Sequence, residues 1–419
     1  MILPSTLLLP QQTLSKPGAV MSLLKEASVF GANGILVHDA FLKQSGKLDA
    51  ILDGTKTMLR IVSRRDAETQ RNLKLSAPLR LCEEKNSGHC FLRAWQHGGG
   101  EPTVDAVEAL RAEIVRERPD WVAAVGGGSV IDLAKAGAGL ADAPETAAFY
   151  QLNNGAIPPA KIPFIAAPTT AGTGAEATVV AVLTDPSRTL KQSIRHPSFM
   201  PKIVILDPEL LGGCPKATIA AAGLDAFIQA FESYTSRHAT PFTRALSELA
   251  LVRISRALLP LYQGDSRCAA DMLEASYLAG LALSHARLGV IHGLAHPLGV
   301  RFNAAHGLTC ACCLPVAMAF NREFIAADLA DLKARLGIDI EAQIDQWLDA
   351  MSLDNPFAGK QVADREAFIR ETLASGSTAA NPRPVTAEDA GRLLDEVMGR
   401  YSGSPWHCPN RAKPLHILA

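Results

Sequence analysis

Four short apolar runs, each closed by polar residues or glycines, constrain the first half of this chain more than any other feature. They cover residues 34–39, 121–125, 162–167 and 203–208. Helical patterns separate them, and short buried strands that alternate with helices indicate parallel crossover units. The sequence therefore predicts an α/β domain with a largely parallel sheet over residues 1–211.

The sequence pattern changes in the second half of the chain. Residues 216–234, 241–262 and 267–289 show the length and periodicity of helices. We predict an all-helical domain over residues 212–419, with Gly212-Gly213 as the hinge. Residues 63–100 mix charge clusters with glycines and are expected to be partly loop, and the tail after Tyr401 has no periodicity. The apolar residues 1–10 have no basic start and are predicted to be an early strand.

Charge and composition exclude several classes of protein. The formal net charge is −1 over 419 residues, whereas nucleic-acid or anionic-membrane surfaces need a basic excess. No run approaches the ~18 apolar residues of a membrane helix. We therefore expect a cytoplasmic protein with no nucleic-acid or membrane partner. The cluster Cys310, Cys312 and Cys313 lies in an apolar run, and we interpret these thiols as small buried hydrophobes rather than metal ligands.

A glycine-rich turn follows the second apolar run. Gly126, Gly127, Gly128 and Ser129 stand between a strand and a helix-like stretch. Glycines let backbone N–H groups approach a phosphate, and a helix N-terminus adds partial positive charge. The turn differs from the Rossmann G-x-G-x-x-G because Ile131 occupies the place of the last glycine. By itself it is equally compatible with an ordinary tight turn.

A second segment rich in hydroxyls and glycines, residues 168–176, follows the third run and suits contacts to a diphosphate and a ribose. Together with residues 126–135, 223–226, 292–299 and 306–308, it resembles the iron-containing (group III) alcohol dehydrogenase family. The motifs occur in the family's order and spacing over about residues 120–320. The resemblance implies a dehydroquinate synthase-like architecture: an α/β dinucleotide-binding domain, an all-helical domain and an active site between them.

The resemblance also assigns a cofactor, NAD or NADP. Asp39 ends the first run, where an acid favours NAD because it accepts a hydrogen bond from the ribose 2′-hydroxyl and repels a 2′-phosphate. A turn-forming Asp is the alternative interpretation. Residues 101–103 match the family's Asn-Pro-Thr with Glu101 in place of Asn. The implied cofactor contacts are Asp39, Gly126, Gly127, Gly128, Ser129, Asp132, Thr169, Thr170, Thr173 and Lys191.

The implied ligands for Fe²⁺ or Zn²⁺ are Asp225, Gln229, His292 and His306, and Gln229 stands where His is usual. An amide oxygen is a weaker ligand than imidazole for late first-row metals. Gln229 therefore either ligates weakly or stands aside. A third alternative is that the protein works without a metal, like the maleylacetate reductases.

Two further histidines are candidates for proton transfer. His292 and His296 are four residues apart, so on a helix they share one face. His285, seven residues before His292, is expected to share that face too. The resemblance implies that His296 lies beside the substrate and the nicotinamide, which makes it a candidate catalytic residue for relaying the proton. His285 is a second candidate catalytic residue, and packing against the helix face is its alternative interpretation.

We expect an oxidoreductase that interconverts a small alcohol with an aldehyde or ketone, as a homodimer or higher homo-oligomer. A metal-independent reductase of the same family is the first alternative. A dehydroquinate synthase-like lyase would need several basic residues in the cleft, and the sequence shows few. A non-catalytic binding protein would be expected to have lost the set His292, His296 and His306, which is intact.

Overall fold

The computed structural model describes residues 1–53, 60–62, 79–82, 91–153, 156–353, 356–357 and 360–399. Among them, an eight-stranded sheet has the order β1-β10-β7-β6-β2-β5-β4-β3, and β8 and β9 form a separate hairpin. The strands are β1 (Gln12–Ser15), β2 (Asn33–His38), β3 (Arg60–Val62), β4 (Leu79–Cys82), β5 (Phe91–Gln96), β6 (Trp121–Gly126), β7 (Phe164–Pro168), β8 (Val180–Asp185), β9 (Leu190–Arg195) and β10 (Ile203–Leu206).

The centre of the sheet is parallel and buried on both faces. Strands β6, β7 and β10 consist of buried residues throughout, and β2 is buried after its first residue. Parallel strands covered on both faces read as continuous apolar runs, so the sequence marked them clearly. The four predicted strands are confirmed, and with them the α/β fold of the first half.

One prediction near the sheet is wrong. Residues 1–10 are not a strand: β1 begins at Gln12 and pairs in parallel with β10. Pro4 and Pro10 supply no N–H for a ladder, which disfavours a strand there. Within the expected loop region, β5 is a strand that pairs along its whole length with β2. The charge clusters at 64–66 and 83–85, and the tail after Tyr401, lie outside the described residues.

Helices cover the sheet and build the second half. They are α1 (Leu23–Ala27), α2 (Ala40–Gln44), α3 (Lys47–Asp53), α4 (Val104–Glu117), α5 (Gly128–Gly139), α6 (Ala147–Asn153), α7 (Lys216–Thr235), α8 (Pro241–Gln263), α9 (Ala269–Ala286), α10 (Val290–Phe302), α11 (His306–Asp331), α12 (Ile340–Met351), α13 (Arg365–Ala374), α14 (Gly376–Ala379) and α15 (Ala387–Gly399).

Helix α7 lies at the centre of the helical half and is buried continuously from Gly223 to Thr235. The predicted helix over 267–289 is shorter, because α9 ends at Ala286 and the chain bends by 106° into α10. Arg287 sits at this bend with a φ of 61°, a conformation that side-chain-bearing residues seldom adopt. The bend matters for the site because it separates His285 from His292.

By length and apolarity, one described helix, residues 306–336, could cross a membrane, and the bent pair α9–α10 would count as a second candidate. In the apolar window of the helix, 61% of residues are buried inside the protein. Cys310 and Leu314 pack into the core of the helical half. Helix α11 is therefore a core helix of this fold.

Candidate active site

The glycine-rich turn lies at the carboxyl edge of the sheet. Strand β6 runs between β2 and β7, and Gly127 caps the start of α5. A Cβ on Gly128 would lie 2.6 Å from Thr173, so no other residue fits without moving the second motif. Ligands of open parallel sheets bind at this edge, outside the carboxyl ends of the strands.

Asp39, at the end of β2, caps helix α2. Its carboxylate accepts a hydrogen bond from the Leu42 N–H at 2.8 Å. The carboxylate of Asp39 therefore has a structural role as a helix cap, where the alternative interpretation had expected a turn. Its predicted contact with the adenosine ribose is compatible with this position and stays a prediction.

Asp132 ties the first turn of α5 to the β8–β9 hairpin. One carboxylate oxygen accepts from the Val182 N–H at 3.0 Å. The other has no hydrogen-bond partner among the described residues. Burial raises the pKa of Asp132 to about 6, although Lys135, whose Nζ lies 3.7 Å away, acts in the opposite direction. A buried acid with a raised pKa at a cavity wall is a feature of functional sites.

A cleft made of two adjoining cavities, of about 600 and 200 Å³, separates the sheet edge from the helical half. The smaller cavity brings several of the predicted residues together. The wall contains Gly128, Ser129, Asp132, Thr173, Lys191, Asp225, Gln229, His292, His296 and His306. The predicted residues outside both cavity walls are Asp39, Gly126, Gly127, Thr169, Thr170 and His285.

At the floor of the smaller cavity, three of the four predicted metal ligands meet. Asp225 Oδ1 lies 3.2 Å from His292 Nε2 and 3.8 Å from His306 Nε2. Gln229, one turn along α7, donates from its amide nitrogen to Asp225 Oδ2 at 2.9 Å. The amide oxygen of Gln229 is buried and has no hydrogen-bond partner among the described residues.

Two residues of the cluster were missed at the sequence level. Cys310 Sγ lies 3.8 Å from His306 Nε2, and the donor atoms of Asp225, His292, His306 and Cys310 all lie within 4.8 Å of one another. The interpretation of Cys310 as an apolar filler overlooked its position one helical turn after His306. Glu232 contacts His292 Nδ1 at 2.6 Å and accepts from the Ile291 N–H at 2.8 Å.

The histidines of the cluster differ in charge. Burial disfavours the charged form of His292, but Cys310, Asp225 and Glu232 outweigh it and raise the pKa of His292 well above its usual value. Burial, with Lys191 and His292 nearby, lowers the pKa of His296 to about 3. Burial and His296 lower the pKa of His306. His296 and His306, stacked with ring centroids 5.0 Å apart, are therefore neutral at pH 7.

Comparison with known proteins agrees with this arrangement. Residues 81–208 match the family "Iron-containing alcohol dehydrogenase", and residues 219–398 match "Fe-containing alcohol dehydrogenase family, C-terminal". The probable alcohol dehydrogenase EutG of Escherichia coli (strain K12) is 35% identical over 320 residues, which cover 76% of this chain and 73% of EutG. The chain belongs to the iron-containing alcohol dehydrogenase family.

Two further relatives extend the comparison. The phosphonoacetaldehyde reductase of Streptomyces viridochromogenes is 33% identical over 323 residues, covering 71% of this chain and 81% of the reductase. An iron-containing alcohol dehydrogenase from Thermococcus thioreducens shares the fold, with a TM-score of 0.79 at 24% identity and coverage of 94% and 100%. The chain is thus an NAD(P)-dependent oxidoreductase that interconverts alcohols with aldehydes or ketones, and the lyase alternative is set aside.

The structure corrects the placement of His285 in this dehydrogenase. His285 is on α9 and His292 on α10, so the two do not share a helix face. His285 Nε2 accepts from the Leu8 N–H at 3.0 Å, and Nδ1 faces the Leu281 carbonyl at 2.8 Å. Backbone partners occupy both ring nitrogens, so His285 anchors the N-terminal segment and is not positioned to move a substrate proton.

The expectation of few basic residues in the cleft is also wrong. Lys191, Arg195 and Arg287 line both cavities. Lys191 forms an ion pair with Glu101 at 2.8 Å. Glu101 is the residue that stands in place of Asn in the family's Asn-Pro-Thr pattern. Both arginines come from scattered positions at a strand end and a helix bend, where no sequence motif marks them.

Proposed function

We propose that this dehydrogenase uses a divalent metal held by Asp225, His292 and His306, and acts on small substrates that carry an anionic group. The observation that carries the proposal is one cleft that contains both the histidine cluster and two guanidinium groups, Arg195 and Arg287, that have no ion-pair partner among the described residues. Metal use and residue roles rest on the cluster, and the substrate class rests on the cations.

The donors fit a divalent metal. Ligand bonds of 2.0–2.3 Å in a tetrahedral site place neighbouring donor atoms about 3.3–3.8 Å apart. The separations of 3.2 and 3.8 Å from Asp225 Oδ1 to the two imidazoles are close to this range. A buried carboxylate beside two imidazoles is also a donor set that suits Fe²⁺ or Zn²⁺.

Each partner of the reaction has a separate role. A bound divalent metal supplies Lewis acidity toward the substrate oxygen, and a bound nicotinamide supplies or takes up the hydride. The chain positions both and moves the proton. We assign the relay of the hydroxyl proton during oxidation to His296, which is neutral and stacked on His306, with water in the cleft as the final acceptor. Because burial lowers its pKa to about 3, His296 is a weak base and would hold the proton only transiently.

The arginines support an anionic substrate. Desolvation in the cleft and repulsion by Arg287 lower the pKa of Arg195. Neither guanidinium forms an ion pair with another described residue, while Arg195 donates to Ser193 Oγ at 3.0 Å. The strained φ of Arg287 holds its side chain at the bend between α9 and α10. Arginine suits bidentate recognition of carboxylates, phosphates and phosphonates, and a phosphonoacetaldehyde reductase is among the relatives.

Steady-state kinetics on paired aldehydes tests the substrate class. Each pair has the same chain length and ends in a phosphonate or carboxylate on one side and a hydroxyl on the other. The anionic member should have the higher kcat/KM, and Arg287→Gln should lower that value at least about tenfold with little effect on the neutral member. Arg322→Gln, at an ion pair with Glu341 outside both cavities, is the control. Equal preference that Arg287→Gln leaves unchanged would refute the anionic class.

Three finer assignments belong to the same proposal. Asp39 supports NAD as the preferred cofactor, since a carboxylate at this strand end disfavours a 2′-phosphate. The change from sheet to helices after β10 supports a domain boundary near residues 211 and 212. A cytoplasmic location and a homodimer or higher homo-oligomer remain predictions. Gel filtration with light scattering tests the oligomeric state.

A further inference from the structure

Gln229 is poorly placed to serve as a metal ligand. Its amide nitrogen donates to Asp225 Oδ2, so Gln229 orients a carboxylate that faces the cluster. Its oxygen is a neutral donor and binds late first-row metals less strongly than imidazole or thiolate. If a metal occupies this cluster, the position opposite the two histidines needs a better donor than Gln229.

Cys310 offers that donor. It lies one turn after His306 on α11, just as Gln229 lies one turn after Asp225 on α7. Its Sγ is 3.8 Å from His306 Nε2, and it belongs to the group of four donors within 4.8 Å of one another. Since Zn–S bonds are about 2.3 Å and Zn–N bonds about 2.0–2.1 Å, the 3.8 Å between Cys310 Sγ and His306 Nε2 lies at the upper end of the separations expected for neighbouring donors around one ion.

We propose that Cys310 replaces the usual histidine as the fourth protein ligand, and that the site therefore selects Zn²⁺ over Fe²⁺. This rests on the proposed metal-assisted function. The donor set becomes one carboxylate, two imidazoles and one thiolate. Soft thiolate ligands favour zinc, and carboxylate and thiolate together balance the charge of a divalent ion. The ligand is shifted from one helix to its neighbour, so four protein groups would hold the ion and the substrate oxygen would add a fifth ligand, as five-coordinate catalytic zinc sites allow.

In the sequence, the two features that make up this substitution look unrelated. Gln229 alone suggests a weakened site, and the cysteine cluster alone suggests core packing. The structure joins them, because α7 and α11 pack against each other and bring both positions to one cluster. Cys313, also buried on α11, lies outside the four-donor group and provides a matched control thiol.

X-ray absorption at the zinc edge of the purified wild-type protein tests the ligand directly and needs no variant. One sulfur scatterer at about 2.3 Å is expected. Cobalt substitution gives a second readout: thiolate-to-cobalt charge transfer should appear in the wild type and in Cys313→Ala and be absent in Cys310→Ala. Elemental analysis after dialysis against equal Fe²⁺ and Zn²⁺ without oxygen should find zinc in the wild type.

Rescue distinguishes a lost ligand from a damaged fold. Cys310→Ala should retain at least about tenfold less zinc through mild chelation, and Gln229→His in the same chain should restore metal binding without a sulfur scatterer. A wild-type metal site that lacks sulfur overturns the role of Cys310 and leaves metal-assisted catalysis standing. If the wild type binds no metal and turns over equally with and without a strong chelator, both the role of Cys310 and metal-assisted catalysis are overturned.

Discussion

Glu232 accepts a hydrogen bond from Nδ1 of His292 at 2.6 Å, and both side chains are buried. This contact keeps a proton on Nδ1 of His292, so Nε2, which faces Asp225 Oδ1 at 3.2 Å, is the nitrogen that would lose its proton and bind a metal. Carboxylates that orient ligating histidines in this way contribute 10–100-fold to metal affinity in other proteins, about 1.4–3 kcal/mol. Glu232 therefore acts on the metal through His292.

Glu232→Gln should lower metal affinity about 10–100-fold while the protein stays folded. Glutamine can still accept from the Ile291 N–H, but it replaces a charged acceptor for His292 with a neutral one. Competition with a metal-binding dye measures the affinity, and circular dichroism checks the fold. Glu248→Gln, at an exposed ion pair with Arg335, is the control. Equal affinities in the wild type and Glu232→Gln would contradict this role.

Asp39 allows the cofactor prediction to be separated from helix stability. Asp39→Ala removes both the carboxylate and the α2 cap, which costs about 1 kcal/mol. Asp39→Ser keeps a capping oxygen for the Leu42 N–H and removes only the charge. Both variants should lower the ratio of kcat/KM for NADH to that for NADPH, and only Asp39→Ala should lose stability. If this ratio of kcat/KM values were unchanged in both variants, Asp39 would serve only as the N-cap of α2.

The glycine turn gives a test with adjacent positions. Gly127 has a φ of −71°, and a Cβ there would lie 3.5 Å from Thr170, which is ordinary contact. The backbone conformation at Gly127 therefore does not require glycine. A Cβ on Gly128 would meet Thr173 at 2.6 Å. Gly128→Ala should weaken NADH binding in fluorescence titrations more than Gly127→Ala, whose melting temperature should stay near the wild type. If Gly127→Ala weakened NADH binding more than Gly128→Ala, the side chain of Thr173 would be able to move aside for the added Cβ.

The contrast between correct and missed residues has a physical pattern. The strands β6 and β7 were predictable because burial on both faces requires apolar residues at every position. Asp225, His292 and His306 were predictable because they belong to contiguous motifs. Glu232 and Cys310 were missed because their roles depend on which helices pack together, and spacing within one helix does not reveal that. His285 was misassigned because no proline marks the 106° bend that follows it.

Glu176 makes stability depend on pH near neutrality. It is buried beside α5, and one carboxylate oxygen has no hydrogen-bond partner among the described residues. Burial raises its pKa from 4.5 to about 7, although Lys135 acts in the opposite direction. Because the native state holds this proton more tightly than the unfolded state, the stabilisation is complete below about pH 4.5 and is lost as the pH rises through about 7.

Glu176→Gln should therefore gain stability relative to the wild type as the pH rises from 5 to 8. A rise in the pKa of Glu176 from 4.5 to about 7 corresponds to at most about 3.5 kcal/mol, since each pKa unit is about 1.4 kcal/mol. Lys135 would keep its acceptors in the variant, the Ala175 and Val180 carbonyls at 2.6 Å and Thr178 Oγ1 at 3.1 Å. Urea unfolding of both proteins at several pH values gives the difference directly. Asp132 also makes the free energy of unfolding of both proteins depend on pH, so only the difference between the two proteins is diagnostic. If their free energies of unfolding change with pH in parallel, Glu176 stays charged in the native state.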